Sequence, residues 1–238
     1  MTTEDPAEIA KFATLAHEWW DPEGRFKPLH RINPLRVGYI LECLGSPAPG
    51  SPPRRLVDVG CGGGILAEAL GESGLEVTAI DRSVEIIGAA KKHQEESGST
   101  VDYRLQSARE LAKEQPQGFD AVTVMEVLEH IPDVPAFLGD CRDLLRPGGW
   151  LFFATLNRTV KSWLFAIVGA EYLLRWLPRG THAHDRFIRP SELTGHLAHV
   201  GISLRDLRGM SYRPLHDAWV LSRDASVNYL GYGIRMPV

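Results

Sequence analysis

The sequence predicts an α/β fold: a mostly parallel, doubly wound sheet with helices on both faces. Three observations carry this. Short β-branched runs alternate with amphipathic stretches along the chain. A glycine-rich turn, Gly60-Cys61-Gly62-Gly63-Gly64, follows the first run, and an acid, Asp81, closes the second. At 238 residues, 44% hydrophobic and 24% charged, the chain is long enough to bury a core without disulfides or metal.

Each element follows in order. Residues 1–53 are expected to form an N-terminal helical cap and linker, the linker being Ser46–Pro53, rich in Pro, Gly and Ser; residues 54–238 form the main domain. Arg55–Gly60 reads as the first strand, and Ile65–Glu72 as a helix that Gly74 ends. Glu76–Asp81 is the second strand, after which Ser83 caps a helix running to Gly98. Val101–Gln106 is the third strand and Phe119–Met125, apolar and β-branched, the fourth. Pro135–Leu145 is amphipathic, and Arg146-Pro147-Gly148-Gly149 turns the chain into a fifth strand, Trp150–Leu156. Ser191–Val200 reads as helix, while Ile202–Asp206 and Ala218–Ser222 read as late strands completing a seven-stranded sheet. Between strand five and these elements lies an insertion, residues 158–190.

Composition narrows the function. The formal net charge of -4 carries no basic footprint for nucleic acid. Cys43, Cys61 and Cys141 are odd in number and unpatterned, which fits a reducing compartment, and the polar, acidic Met1–Ala10 has no apolar run of a secretory leader. A cytoplasmic location is expected.

The glycine turn is the first chemical signal. Glycines there let the backbone approach a ligand, and the following helix offers free amides and a positive dipole end. A dinucleotide fingerprint, GxGxxG, would need glycine where Ile65 stands; the spacing here is GxGxG. That suits S-adenosylmethionine, which has no pyrophosphate to cradle. Asp58 is placed to hold the ammonium of its amino-acid part and Asp81 to accept both ribose hydroxyls, against the plainer reading that both acids cap turns. Cys61 is read as a small packing residue, because methyl transfer needs no covalent enzyme intermediate.

Longer segments carry a resemblance. Trp19-Trp20-Asp21, Phe26 to Arg36 with its His-Arg-Ile-Asn-Pro-Leu-Arg run, Asp58 to Gly64, Met125 to His130, Thr155-Leu156-Asn157-Arg158 and Val168 to Tyr172 resemble the ubiquinone biosynthesis O-methyltransferases over nearly the whole chain. The resemblance implies a Rossmann-like class I methyltransferase fold, and S-adenosylmethionine contacts at Arg36, Gly60, Asp81 and Met125; with Asp58 and Gly62 these form the expected cofactor set. It implies a phenolic hydroxyl on a polyprenyl catechol or demethylubiquinol as acceptor. The tail, Tyr229–Val238, departs from the family pattern and receives no role.

Phenolic methylation needs help with a proton. A phenol of pKa near 10 is ionised about one part in a thousand at pH 7, a penalty of roughly 4 kcal/mol. Glu126, Glu129 and His130 follow the fourth strand, and a helical turn over Val127–His130 would put all three on one face. The resemblance implies Mg2+ dependence in some relatives, which makes these three candidate metal ligands; the alternative is His130 as base, with Glu129 fixing the loop. His182 and His184 are read as a solvated loop rather than a metal site.

The insertion carries the last signal. Ser162–Leu177 is nearly all apolar, flanked by Lys161, Arg175 and Arg179, but at about 24 Å it is short of a ~30 Å hydrocarbon core. Trp163, Tyr172 and Trp176 suit a helix lying at a membrane surface or roofing a lipophilic tunnel; the alternatives are a core helix or a dimer contact. Trp19, Trp20 and Phe26 are read as a pocket lid or as ordinary core aromatics. The leading expectation is a quinone-pathway O-methyltransferase peripheral to the inner membrane, with lipid and other quinone-synthesis enzymes as partners. A methyltransferase for another small phenol, and a non-catalytic membrane-docked scaffold, are the alternatives.

Overall fold

Near-continuous apolar runs build strands buried on both faces, which requires helices on both sides of the sheet. The computed structural model describes residues 6–162, 186–213 and 218–237. The strands are β1 (Arg55–Val59), β2 (Glu76–Asp81), β3 (Asp102–Leu105), β4 (Phe119–Met125), β5 (Leu145–Leu156), β6 (Ile202–Arg213), β7 (Ala218–Ser222) and β8 (Asn228–Arg235). They form one sheet in the order β3-β2-β1-β4-β5-β8-β6-β7. The first five are parallel; β8 runs antiparallel between β5 and β6, and β7 antiparallel to β6.

Among the described residues eight strands stand where seven were expected. The addition is β8, formed by the tail that received no role, and it lies inside the sheet with Tyr229 and Leu230 fully buried. Its glycines hid it, because glycine is depleted in strands. Both are needed here: a Cβ on Gly231 would stand 2.4 Å from the Asp206 carbonyl, and one on Gly233 2.5 Å from Ile202 Cγ2.

Helices follow from capping and patterning. α1 (Pro6–Ala13) and α2 (Lys27–Leu44) precede the sheet, and residues 45–54 between α2 and β1 contain no helix or strand. α3 (Ile65–Glu72) and α4 (Val84–Ser97) fall where the pattern places them, with the Ser83 hydroxyl accepting from Ile86 N and Gly98 closing α4 in the left-handed region. α5 (Ala108–Glu114) was not expected, although Ser107 and Glu110 form a capping box. Among the described residues, α6 (Val134–Leu144), α7 (Val160–Ser162) and α8 (Pro190–His199) follow.

Two core clusters show the doubly wound packing. Val57, Val122, Val124, Leu151 and Phe153 face Phe137, Leu138 and Leu144 on one side. Their neighbours Leu56, Ala121, Phe152 and Ala154 face Tyr39, Ile40, Leu66 and Leu70 on the other. The strand order reverses between β1 and β4, so their carboxyl ends open a crevice where α/β sheets bind ligands. The apolar insertion beyond Ser162, with Val168–Tyr172, His182 and His184, lies outside the described residues.

Candidate active site

The crevice is built first by the glycine turn leaving β1. Gly60 N and Cys61 N both donate to the Ile80 carbonyl, at 2.9 and 3.0 Å, which ties the turn to the end of β2. Gly60 and Gly62 adopt φ of 71° and 55°, the left-handed region that favours glycine. Space demands glycine as well. A Cβ on Gly60 would lie 2.6 Å from Val127 Cγ2, and one on Gly62 2.1 Å from Trp19 Cζ2. Trp19 therefore lies across the turn, while it is also buried and stacked on Phe26 at 3.9 Å. Trp20 adds a bond from Nε1 to the Gly63 carbonyl at 2.8 Å.

Two acids flank the turn as expected. Asp81 accepts from Gly62 N at 3.2 Å and Ser83 N at 3.0 Å, and burial holds its carboxyl above the usual range against these bonds. Asp58 is buried in β1 and accepts from Thr123 Oγ1 at 2.6 Å. Burial pushes it up to about 6, opposed by the Thr123 bond and the Arg36 charge. Burial also raises the Cys61 thiol well above its ordinary value, which suits a packing residue.

Arg36 reaches this wall from α2. It is 4% exposed, and its Nη2 donates to Glu126 Oε1 at 2.6 Å across 90 residues of sequence. Its Nε is buried without a hydrogen-bond partner. Glu126 holds a left-handed φ of 55°, with its N–H donating to the Ala154 carbonyl at 2.9 Å. A non-glycine residue there is strained by about 1–2 kcal/mol, and such strain gathers at functional sites.

Glu129 and His130 sit on a 3₁₀ turn, Leu128–His130, at the exit of β4. Glu129 is buried and accepts from Thr155 Oγ1 at 2.7 Å. Burial pushes it up to about 6, with His130 opposing and Glu126 adding to the rise. The His130 ring meets Phe12 edge-on at 5.2 Å.

The expectation that Glu126, Glu129 and His130 share one helical face does not hold. The turn begins at Leu128, and the left-handed backbone of Glu126 sends its carboxylate to Arg36 instead. Among the described residues no three His, Cys, Asp or Glu side chains stand close enough to hold a metal ion. In this arrangement the donor set does not fit a resident divalent cation.

The set does fit S-adenosylmethionine. One cavity of about 890 Å³ is lined by Arg36, Asp58, Gly60, Gly62, Asp81, Met125, Glu126, Glu129 and His130, so the expected site residues share one cavity. Arg36 matches an amino-acid carboxylate, Asp58 an ammonium and Asp81 a pair of ribose hydroxyls. Four carboxyl groups in this cavity suit a ligand bearing a sulfonium. Sequence reading missed the Arg36–Glu126 pair and the two threonines, Thr123 and Thr155, that hold the buried acids. No local pattern marks contacts so distant along the chain.

Comparison with known proteins agrees with this geometry. A family model described as a methyltransferase domain matches residues 36–207. The ubiquinone biosynthesis O-methyltransferase of Bordetella bronchiseptica is 53% identical over 226 residues, covering 95% of this chain and 92% of that protein. The enzyme of the same name from Nitrosomonas europaea is 50% identical, covering 95% and 94%. Among solved structures, magnesium protoporphyrin IX methyltransferase from Synechocystis PCC 6803 with bound SAH superposes with a TM-score of 0.60 at 16% identity, covering 87% of this chain and 82% of that one. That likeness establishes the fold. The cavity that fits a methyl donor and the half-identical relatives along nearly its whole length converge: the chain belongs to the ubiquinone biosynthesis O-methyltransferases and is an S-adenosylmethionine-dependent enzyme.

Proposed function

We propose that the chain methylates ring hydroxyls of lipophilic catechols and quinols, a 2-polyprenyl-6-hydroxyphenol and 3-demethylubiquinol. One observation supports this most. A single cavity joins the donor residues Arg36, Asp58 and Asp81 to an end lined by His130, Leu156, Met210, Tyr212 and Trp219, apolar enough for a prenylated ring.

S-adenosylmethionine, when bound, supplies a methyl group already activated by its sulfonium. The residues of the chain therefore have two tasks: to align the reactants and to take a proton. Arg36 binds the donor carboxylate, Asp58 its ammonium and Asp81 its ribose. His130 takes the phenolic proton as the methyl moves to oxygen. Glu129, buried on the same turn and held by Thr155, keeps negative charge beside the imidazolium that results. Phe12, Trp19 and Phe26, which line the same cavity, keep water from the reacting atoms.

A polyprenyl tail resides in a bilayer. None of the described helices is long and apolar enough to cross a membrane. The sequence from Ser162 to Leu177, with its aromatic residues and basic flanks, supports docking at the cytoplasmic face of the inner membrane beside other quinone-synthesis enzymes. Initial rates on a prenylated catechol in vesicles and on its tail-less analogue test the reading. Preference for the prenylated ring is expected; equal rates on both, or none on either, would overturn it.

A further inference from the structure

We infer that Trp20 is a positioning residue for the donor site: its indole latches the N-terminal cap onto the glycine turn, and His93, held by the buried Glu68, sets the plane of the indole. The inference rests on the donor site and not on the reading of the acceptor. The turn needs such support. Three consecutive glycines, Gly62 to Gly64, leave its backbone free, and a ligand that binds a loose turn bears the cost of ordering it. Trp20 Nε1 donates to the carbonyl in the middle of that run, Gly63, at 2.8 Å. Trp19 and Gly62 line the cavity, whereas Trp20, His93, Glu68 and Tyr103 are not among its lining residues. The latch therefore acts on the donor through the turn rather than by touching it.

The groups behind the indole hold it in turn. Trp20 stacks on His93 with ring centroids 3.3 Å apart and planes 4° from parallel, while His30 meets it edge-on at 5.9 Å. His93 lies on α4, and its Nδ1 donates to both Glu68 carboxylate oxygens at 3.1 Å. Glu68 is buried on α3, the helix that leaves the turn, and also accepts from Ser97 Oγ at 2.9 Å and Tyr103 Oη at 3.3 Å. A buried carboxylate with three donors fixes them in one arrangement. Tyr103, on β3, adds a contact to the turn itself, since a Cβ on Gly64 would collide with its hydroxyl. Glu68 N donates to the Gly64 carbonyl at 2.9 Å, so the helix start, the turn and the indole form one braced unit.

The test titrates S-adenosylmethionine by calorimetry into wild type, Trp20→Phe, His93→Gln and the double variant. Trp20→Phe keeps an aromatic ring against His93 but removes the bond to Gly63; His93→Gln keeps a donor for Glu68 but removes the stack. Donor Kd should rise about 2- to 10-fold in each single variant, and in the double no further than in Trp20→Phe, because His93 acts through the indole. With a prenylated catechol at saturating donor, kcat and acceptor KM should stay within about twofold of wild type. An unchanged donor Kd in folded Trp20→Phe, or kcat and acceptor KM damaged along with it, would overturn the inference. Costs that multiply in the double variant would overturn the part given to His93. If Trp20→Phe fails to fold, His93→Gln decides by the same readings. A wild type that binds donor and methylates no catechol would overturn the proposed function alone, since the titration needs no acceptor.

Discussion

Gly62→Ala is the sharpest perturbation of the donor site. The added methyl would stand 2.1 Å from Trp19 Cζ2 and 2.8 Å from Cε2 and Cη2. Trp19 is 7% exposed and stacked on Phe26, so it cannot yield without losing that stack. The left-handed φ adds about 1–2 kcal/mol and overpacking about 1–3 kcal/mol, together roughly 2–5 kcal/mol. At about 2–4 °C per kcal/mol for a chain of this size, Tm should fall by roughly 4–20 °C. Donor Kd should rise as well, because the displaced turn carries the Gly62 amide bonded to Asp81. A cycle with Trp19→Ala separates the two causes. In that background the overlap is gone, and Gly62→Ala should cost only the backbone part, about 1–2 kcal/mol. Denaturant unfolding of the four proteins, with calorimetric donor titration, reads both effects. Equal cost in the two backgrounds would refute the placement of Trp19 on the turn.

Three further outcomes follow from the site. Asp81→Ala strands the amides of Gly62 and Ser83 and removes the ribose acceptor, so donor Kd should rise at least about tenfold by calorimetry; an unchanged Kd would take Asp81 out of the site. Asp58 and Glu129 bind a proton more tightly in the folded chain than unfolded, so their contribution to stability is complete below about pH 4 and is lost as pH climbs through about 6. For Asp58 the rise from 3.8 to about 6 corresponds to on the order of 3 kcal/mol. Urea unfolding of Asp58→Asn should show a shallower loss than wild type between about pH 4 and pH 7, and matching slopes would contradict the buried carboxyl. His130→Ala should lower kcat by about 10²- to 10⁴-fold while sparing donor affinity, and a full kcat would reject it as base.

What was legible in the sequence followed from local physics. Alternation placed β1 to β5, and the GxGxG turn with the acid ending β2 marked the donor site, because both signals lie within a few residues. β8 was missed because Gly231 and Gly233 dilute its pattern, although tertiary crowding is what requires them. The α5 helix was missed despite a capping box written in Ser107 and Glu110. The supposed triad of Glu126, Glu129 and His130 failed for a different reason. Helical spacing arguments assume helical backbone, and Glu126 adopts a left-handed φ that no sequence rule assigns to glutamate. Its partner Arg36 is 90 positions away, a distance over which only packing decides.

The claim at the centre is that donor and ring meet in one cavity under His130. A single-turnover reaction with methyl-labelled S-adenosylmethionine and a prenylated catechol tests it most directly, read by mass spectrometry of the lipid product. Label on a ring oxygen, appearing with wild type and suppressed in Asp81→Ala and His130→Ala, is the expected result. Saturable donor binding with no label on the ring would contradict it.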